Sequence, residues 1–296
     1  MLTLADVPFA AEGRELASML RKKVAEEDIQ PIIDRIQSEA LDRNLDPLVT
    51  STDVFVTAVL HMGSKTLSHV LAAVERNKDR LHDIGAASDA AREQILASVA
   101  DYWAAHPGVA VTIVEKLLNY SILAPLTVIR WALATRAGQT TGGALAQAHV
   151  YEVVFNTVVK VTARVRQVVS GPGPVVADGD TAMVGAEEEG EVRAMRDLFR
   201  GIEDALVAWA GGSKDEMIEA AYGEGTGDSG RDRLVRRWGS RWLRVFRRRA
   251  AIEEAFVQEA ARKRAAAPAP APAAAEVGNG GGVGEAENGD VQDGIE

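Results

Sequence analysis

Apolar residues recur at helical spacing from Phe9 to Val169, and the breaks between the runs carry helix stop and start chemistry rather than strand turns. The pattern predicts a first pair of helices over residues 12–24 and 28–41, the second with Pro31 in its first turn and Ile32, Ile33 and Ile36 facing inward. A polar loop, residues 43–47, closes the pair. In the next stretch, STDVFVTAVLHMGSKTLSHVLAAVERNKDRL, Ser51 or Thr52 is placed to accept from the free amides of a first turn, and Gly63-Ser64 to end that helix and cap another. Val56, Val59 and Leu60, then Leu67, Val70, Leu71 and Val74, give each helix one apolar stripe. Ser88 or Asp89 caps the following helix, which carries Ile95, Val99, Tyr102 and Trp103. At His106-Pro107 and again at Ala124-Pro125 the chain breaks and proline takes the first position of a new helix, where its missing N–H costs nothing. These two helices present Val109, Ile113, Val114, Leu117 and Leu118, then Val128, Ile129, Ala132 and Leu133.

After the small-residue turn AGQTTGG comes the longest run, with Leu145, His149, Val153 or Val154, Val158, Val161 and Val165 on related faces. Valine alone suggests strands, but alternation fails and a period near 3.6 persists. Residues 171–190, GPGPVVADGDTAMVGAEEEG, lack periodicity and read as a flexible insertion. Helical pattern resumes at 191–210, breaks at Gly211-Gly212 and gives a short helix to Tyr222. The link GEGTGDSG then leads into a strongly basic helix from 231 to about 264. Residues 265–296, with alternating alanine and proline, a glycine run and acidic charges only, read as a disordered tail.

A helix with one apolar stripe must lay it against a neighbour, and loops this short favour antiparallel neighbours. The expected fold is therefore all-α: stacked antiparallel helical hairpins, an α-solenoid of HEAT/armadillo-like character, over residues 1–264. No strict consensus repeats, so the repetition is one of structure, with irregular periods of about 40 residues.

Composition narrows the chemistry. The chain has 296 residues, 47% hydrophobic, which can bury a real core, and no cysteine, so a thiolate metal site, disulfide framework or cysteine nucleophile is excluded. Absence of cysteine points to a reducing compartment, cytoplasm or nucleus. No segment reaches about 18 uncharged apolar residues and the start lacks a signal-peptide pattern, so neither secretion nor a membrane is expected. The net charge of −10 opposes whole-surface affinity for nucleic acid, yet it averages very unequal segments.

Candidate chemistry is sparse. The histidines stand at 61, 69, 82, 106 and 149, and no two have the helical spacing that presents two imidazoles to one metal. HMGSKT has the ending of a phosphate-binding loop, but Ser64 separates Gly63 from Lys65 and no strand precedes it. Glu187, Glu188 and Glu189 read as solvated charge, not a catalytic cluster. Tyr102, Trp103 and Trp131 read as core. No catalytic residue, cofactor site or metal site is assigned, and the chain is not expected to be an enzyme.

The basic helix is the exception. Arg237, Arg241, Arg244 and Arg248 recur at steps of four, three and four and form one charged stripe. Beside it, Trp238 and Trp242, with Leu234, Val235, Val245 and Phe246, form an apolar side expected to anchor the helix. Two readings stand for the arginines: a solvated face partly neutralised by the acidic residues at 187–191 or by the acidic tail, or a contact for RNA phosphates or an acidic partner segment.

At STDVFVTAVLHMGSKTLSHVLAAVERNKDRL and DYWAAHPGVAVTIVEKLLNYSILAPLTVIRWAL the sequence resembles the large subunit of the nuclear cap-binding complex in its fungal form. The second stretch carries the more specific signal: a tryptophan before His106-Pro107, then a valine-rich helix leading through Lys116-Leu117-Leu118 to a second tryptophan helix. The resemblance extends from Leu2 to about Phe256. It implies the last of three helical domains, each similar to the middle domain of translation initiation factor 4G, and hence a carboxy-terminal piece lacking two upstream helical domains. It further implies a scaffold, in the nucleus and shuttling to the cytoplasm, that binds and orders a small RNA-recognition-motif subunit. That subunit holds the 7-methylguanosine cap, so capped RNA is an indirect partner, and the complex serves mRNA splicing and other processing, export and nonsense-mediated decay. No cap-stacking residue carries over to this chain. The alternative is a direct RNA-phosphate-binding module using the basic helix at 231–249.

Overall fold

The computed structural model describes residues 8–135, 143–171, 181–211 and 229–266. All regular structure among the described residues is helical. The order is α1 (Ala10–Lys22), α2 (Glu26–Asp42), α3 (Pro47–Gly63), α4 (Leu67–Arg76), α5 (Lys78–Ala87), α6 (Asp89–Tyr102), α7 (Pro107–Asn119) and α8 (Pro125–Arg130). A π turn, Trp131–Thr135, continues α8, and a 3-10 turn, Gly143–Ala146, precedes α9 (Ala148–Ser170), α10 (Thr181–Gly211) and α11 (Ser229–Ala266). The turn at 137–142, the short helix expected before Tyr222, most of the second glycine-rich link and the tail at 267–296 lie outside the described residues.

Helix boundaries follow local chemistry, though not always at the residues that periodicity suggests. Pro107 and Pro125 open α7 and α8 as expected, and Ser88 caps α6 by accepting from the Ala91 amide at 3.0 Å. α3 starts earlier than expected: Asp46 caps it, accepting from the Val49 amide at 2.9 Å, with Pro47 in the first turn. Ser51 and Thr52 are therefore interior, not caps, and turn their hydroxyls onto the Leu48 carbonyl at 3.1 and 2.7 Å. Gly63 does end α3, but Thr66, not Ser64, caps α4 through the His69 amide at 3.2 Å. α2 begins at Glu26, so Pro31 lies inside the helix, beyond its first turn. α10 begins at Thr181, so residues 181–190, expected within a flexible insertion, form its first turns; 172–180 are outside the described residues.

Two helices organise the stack. α3 packs against α1, α2, α4 and α6, which explains why Val54, Phe55, Val56, Ala58, Val59 and Leu60 are all buried. It is apolar on nearly every side rather than along one stripe, as a helix surrounded by others must be. α9 plays the same part further on, touching α7, α8, α10 and α11, and buries Val150, Val153, Val154, Val158, Val161, Val165 and Val169. Each fully buried aliphatic or phenyl side chain contributes about 1.5–3 kcal/mol of transfer free energy. That gain holds a valine-rich segment helical against its intrinsic preference.

Polar contacts reveal directions. Arg43 lies over the Phe9 ring and Arg35 reaches Glu12 and Glu15, so α1 and α2 are antiparallel. Asp53 accepts from Gln94 and Ser98 while His61 meets Tyr102, so α3 and α6 run parallel. The long pair α10–α11 is antiparallel: Gly239 abuts Ala210, Arg247 pairs with Glu203, Arg196 with Glu254 and Arg264 with Glu188. A Cβ on Gly239 would lie 3.1 Å from the Ala210 nitrogen, so the absent side chain lets these backbones close. This is an α-solenoid-like architecture, with a long terminal hairpin laid along α9.

Candidate interaction surface

α11 is positioned by one face. Trp242, Leu243 and Phe246 are 4%, 9% and 2% exposed, and two turns beyond Phe246 Glu253 is buried and ion-paired to Arg166 of α9. Leu243 was not singled out in the sequence. Leu234 and Val245, expected on the anchoring side, are instead 55% and 44% exposed. The reason is angular: both residues lie on the flank nearest the arginines, away from the face that α11 lays on α9, α10 and the 3-10 turn at Gly143–Ala146.

With that face down, Arg237, Arg241, Arg244 and Arg248 all point to solvent. Arg241 places its guanidinium 5.2 Å from the centre of the Trp238 ring, a cation–π contact that leaves its N–H groups available. Arg237, Arg244 and Arg248 make no ion pair among the described residues. Their neighbours differ: Arg247 reaches Glu203 at 2.7 Å and Arg249 reaches Glu253 at 2.8 Å. Neither do the acids at 187–191 neutralise the stripe. Glu187 pairs with Arg164 at 2.5 Å, Glu191 with the same guanidinium at 3.5 Å, and Glu188 with Arg264. Glu187 thus stays exposed, as expected of solvated charge, while it pairs with Arg164 at the surface, whereas Glu188 is half-buried against Arg264, because folding brings the end of α11 against the start of α10.

Beside the stripe runs an open groove of about 380 Å³, lined by Leu145, Ala148 and Tyr151 on one wall and Trp238, Trp242 and Val245 on the other, with Arg241 at its rim. Its floor is an aromatic cluster. Tyr151 meets Trp242 edge-on at 4.9 Å and Phe246 at 6.0 Å, and stacks on Phe155 at 5.9 Å. Tyr151 and Phe155, absent from the sequence reading, stand one turn apart on α9 and off its valine stripe, which was the available signal.

Elsewhere the candidate chemistry dissolves into structure. The Trp131 ring is buried, and Tyr102 and Trp103 are half-buried and packed on the core. His61 contacts the Tyr102 hydroxyl at 3.2 Å, and burial, with Arg21 nearby, pushes its imidazole below the ordinary value. His69 Nδ1 lies 2.8 Å from the Thr66 hydroxyl. Among the described residues no three His, Asp or Glu side chains group as metal ligands, and no helix is long and apolar enough to cross a membrane.

What fold and surface define is an all-helical, scaffold-type unit with an open groove and an exposed arginine stripe. The chain belongs to the MIF4G-like family, which matches residues 2–255. It is similar to nuclear cap-binding protein subunit 1 of Aedes aegypti, with 25% identity over 168 residues, 54% of this chain and 20% of that protein. The subunits of the same name from Anopheles gambiae and Xenopus tropicalis are 26% and 24% identical, over 54% and 52% of this chain. The chain thus spans about a fifth of the length of these curated relatives.

Proposed function

We propose that this chain serves as part of the scaffold subunit of the nuclear RNA cap-binding complex. It binds and orders a small RNA-recognition-motif subunit that holds the 7-methylguanosine cap, and it acts in mRNA processing, export and decay, in the nucleus with passage to the cytoplasm. The observation that carries this reading is the match of the whole helical unit to a scaffold family whose curated relatives bear the cap-binding name. Upstream helical domains complete the dock. The test is co-purification with the small subunit, with and without those domains, followed by titration of capped and uncapped RNA. Retention of the small subunit together with cap preference only in its presence is expected. Cap preference by the isolated chain, or no retention even with the upstream domains present, overturns the proposal.

A second reading rests on the exposure of Arg237, Arg241, Arg244 and Arg248: direct contact with RNA phosphates. Replacing Arg237, Arg244 and Arg248 by glutamate should then lower the salt slope of RNA binding by about one unit per lost contact. An unchanged slope removes it.

A further inference from the structure

We infer that the arginine stripe and the apolar groove beside it seat the chain's own acidic segment, residues 285–296, which acts as a tethered competitor for whatever anionic partner uses that face. The surface supplies two features that a ligand must match. Three guanidinium groups, on Arg237, Arg244 and Arg248, have no carboxylate among the described residues. Next to them, the half-buried Trp238 and Tyr151 and the exposed Val245 line a trough that an aliphatic side chain would fill.

The sequence beyond α11 supplies the complement. After Arg264 there is no lysine or arginine, and Glu285, Glu287, Asp290, Asp293 and Glu296 fall close together with Val291 and Ile295 among them. Carboxylates suit guanidinium pairs, and valine and isoleucine suit the trough. The tether reaches: Val245 stands about 30 Å along the helix from Ala266, while residues 267–284 can span up to about 60 Å when extended. A tether of that length holds its end at an effective concentration in the millimolar range, so even a weak contact is substantially occupied. The exposed stripe without bound RNA or partner is then screened by its own chain, and an anionic partner binds only by displacing the segment. This holds whether or not the cap-complex reading does.

The absence of cysteine makes a clean test available in the full chain. A nitroxide attached through Gln292→Cys should broaden resonances of Trp238, Trp242 and Tyr151 while sparing the amides of α1 and α2. The effect should vanish when Arg237, Arg244 and Arg248 are changed to glutamate, and fade between about 0.05 and 0.5 M salt as charges are screened. In parallel, neutralising the five acids of 285–296 to their amides should tighten binding of a uridine oligonucleotide severalfold. Uniform or absent broadening overturns the inference. Broadening that grows with protein concentration places the segment on a second copy, and oligonucleotide binding at these arginines that ignores the neutralised segment leaves RNA as the occupant; either also overturns it.

Discussion

The buried carboxylate of Glu253 on α11 is gripped at both oxygens by Arg166 of α9, with Nε to Oε2 at 2.7 Å and Nη2 to Oε1 at 2.9 Å. Glu253 is only 1% exposed, and Arg249 adds an ion pair from the other side while donating to the Thr162 hydroxyl at 3.3 Å. These contacts tie α11 to α9 beyond its apolar anchor of Trp242, Leu243 and Phe246. Removing Arg166 leaves that acid short of its bidentate partner. Because Arg166 itself is 41% exposed, Arg166→Ala should cost about 2 kcal/mol, below the 3–5 typical of a fully buried pair. Urea unfolding checks this, and Glu253→Gln, which removes the charge that needs compensation, should partly rescue the Arg166→Ala variant.

Close backbone approach makes opposite predictions for two helical glycines. A Cβ on Gly63 would meet the Val70 Cα at 2.5 Å, where α3 turns into α4, whereas one on Gly108 meets nothing within 4 Å. Gly63→Ala should destabilise by about 1–3 kcal/mol through overpacking. Gly108→Ala should be neutral or stabilise by up to about 1 kcal/mol. Thermal melts should show a lowered midpoint for Gly63→Ala and an unchanged or raised one for Gly108→Ala.

The half-buried imidazole of His61 gives a pH dependence whose sign is determined by its lowered pKa. Between that depressed value and the ordinary 6.5, the unfolded chain holds more proton than the folded one, so stability rises with pH across the window. It is lost as pH falls through it. The His61 resonance should titrate below 6.5, and His61→Gln should flatten the dependence of the melting temperature on pH below that value. A midpoint at or above 6.5 contradicts the burial argument.

Charge reversal on α11 should separate structural from surface arginines. Arg237→Glu, Arg244→Glu and Arg248→Glu touch no ion pair among the described residues and should each change stability by less than about 0.5 kcal/mol. Arg196→Glu should cost more. It breaks the bidentate bond, 3.0 and 2.7 Å, that holds Glu254 below the ordinary carboxylate range, and it sets two carboxylates together. Circular dichroism melts compare the four.

Fold class was legible because helical periodicity and proline placement are local: Pro107, Pro125 and the valine face of α9 show the same positions in sequence and in space. Boundaries failed where a nearer cap won, as Asp46 did over Ser51, since several residues can satisfy the same free amides. The arginine stripe was legible as a stripe, because four guanidiniums at steps of four and three must share a face. Its accessibility was not, because exposure depends on which flank of α11 meets α9 and α10. Leu234 and Val245 look like anchors in one dimension and stand in solvent in three. The same holds for Glu188, whose partner Arg264 is 76 residues away, and for the groove, whose walls join Tyr151 to Trp238. By itself, then, the sequence determined the helices, their apolar faces and the charge along α11. Tertiary structure decided which charges are neutralised and which apolar residues stay uncovered, because both depend on neighbours brought together only by folding.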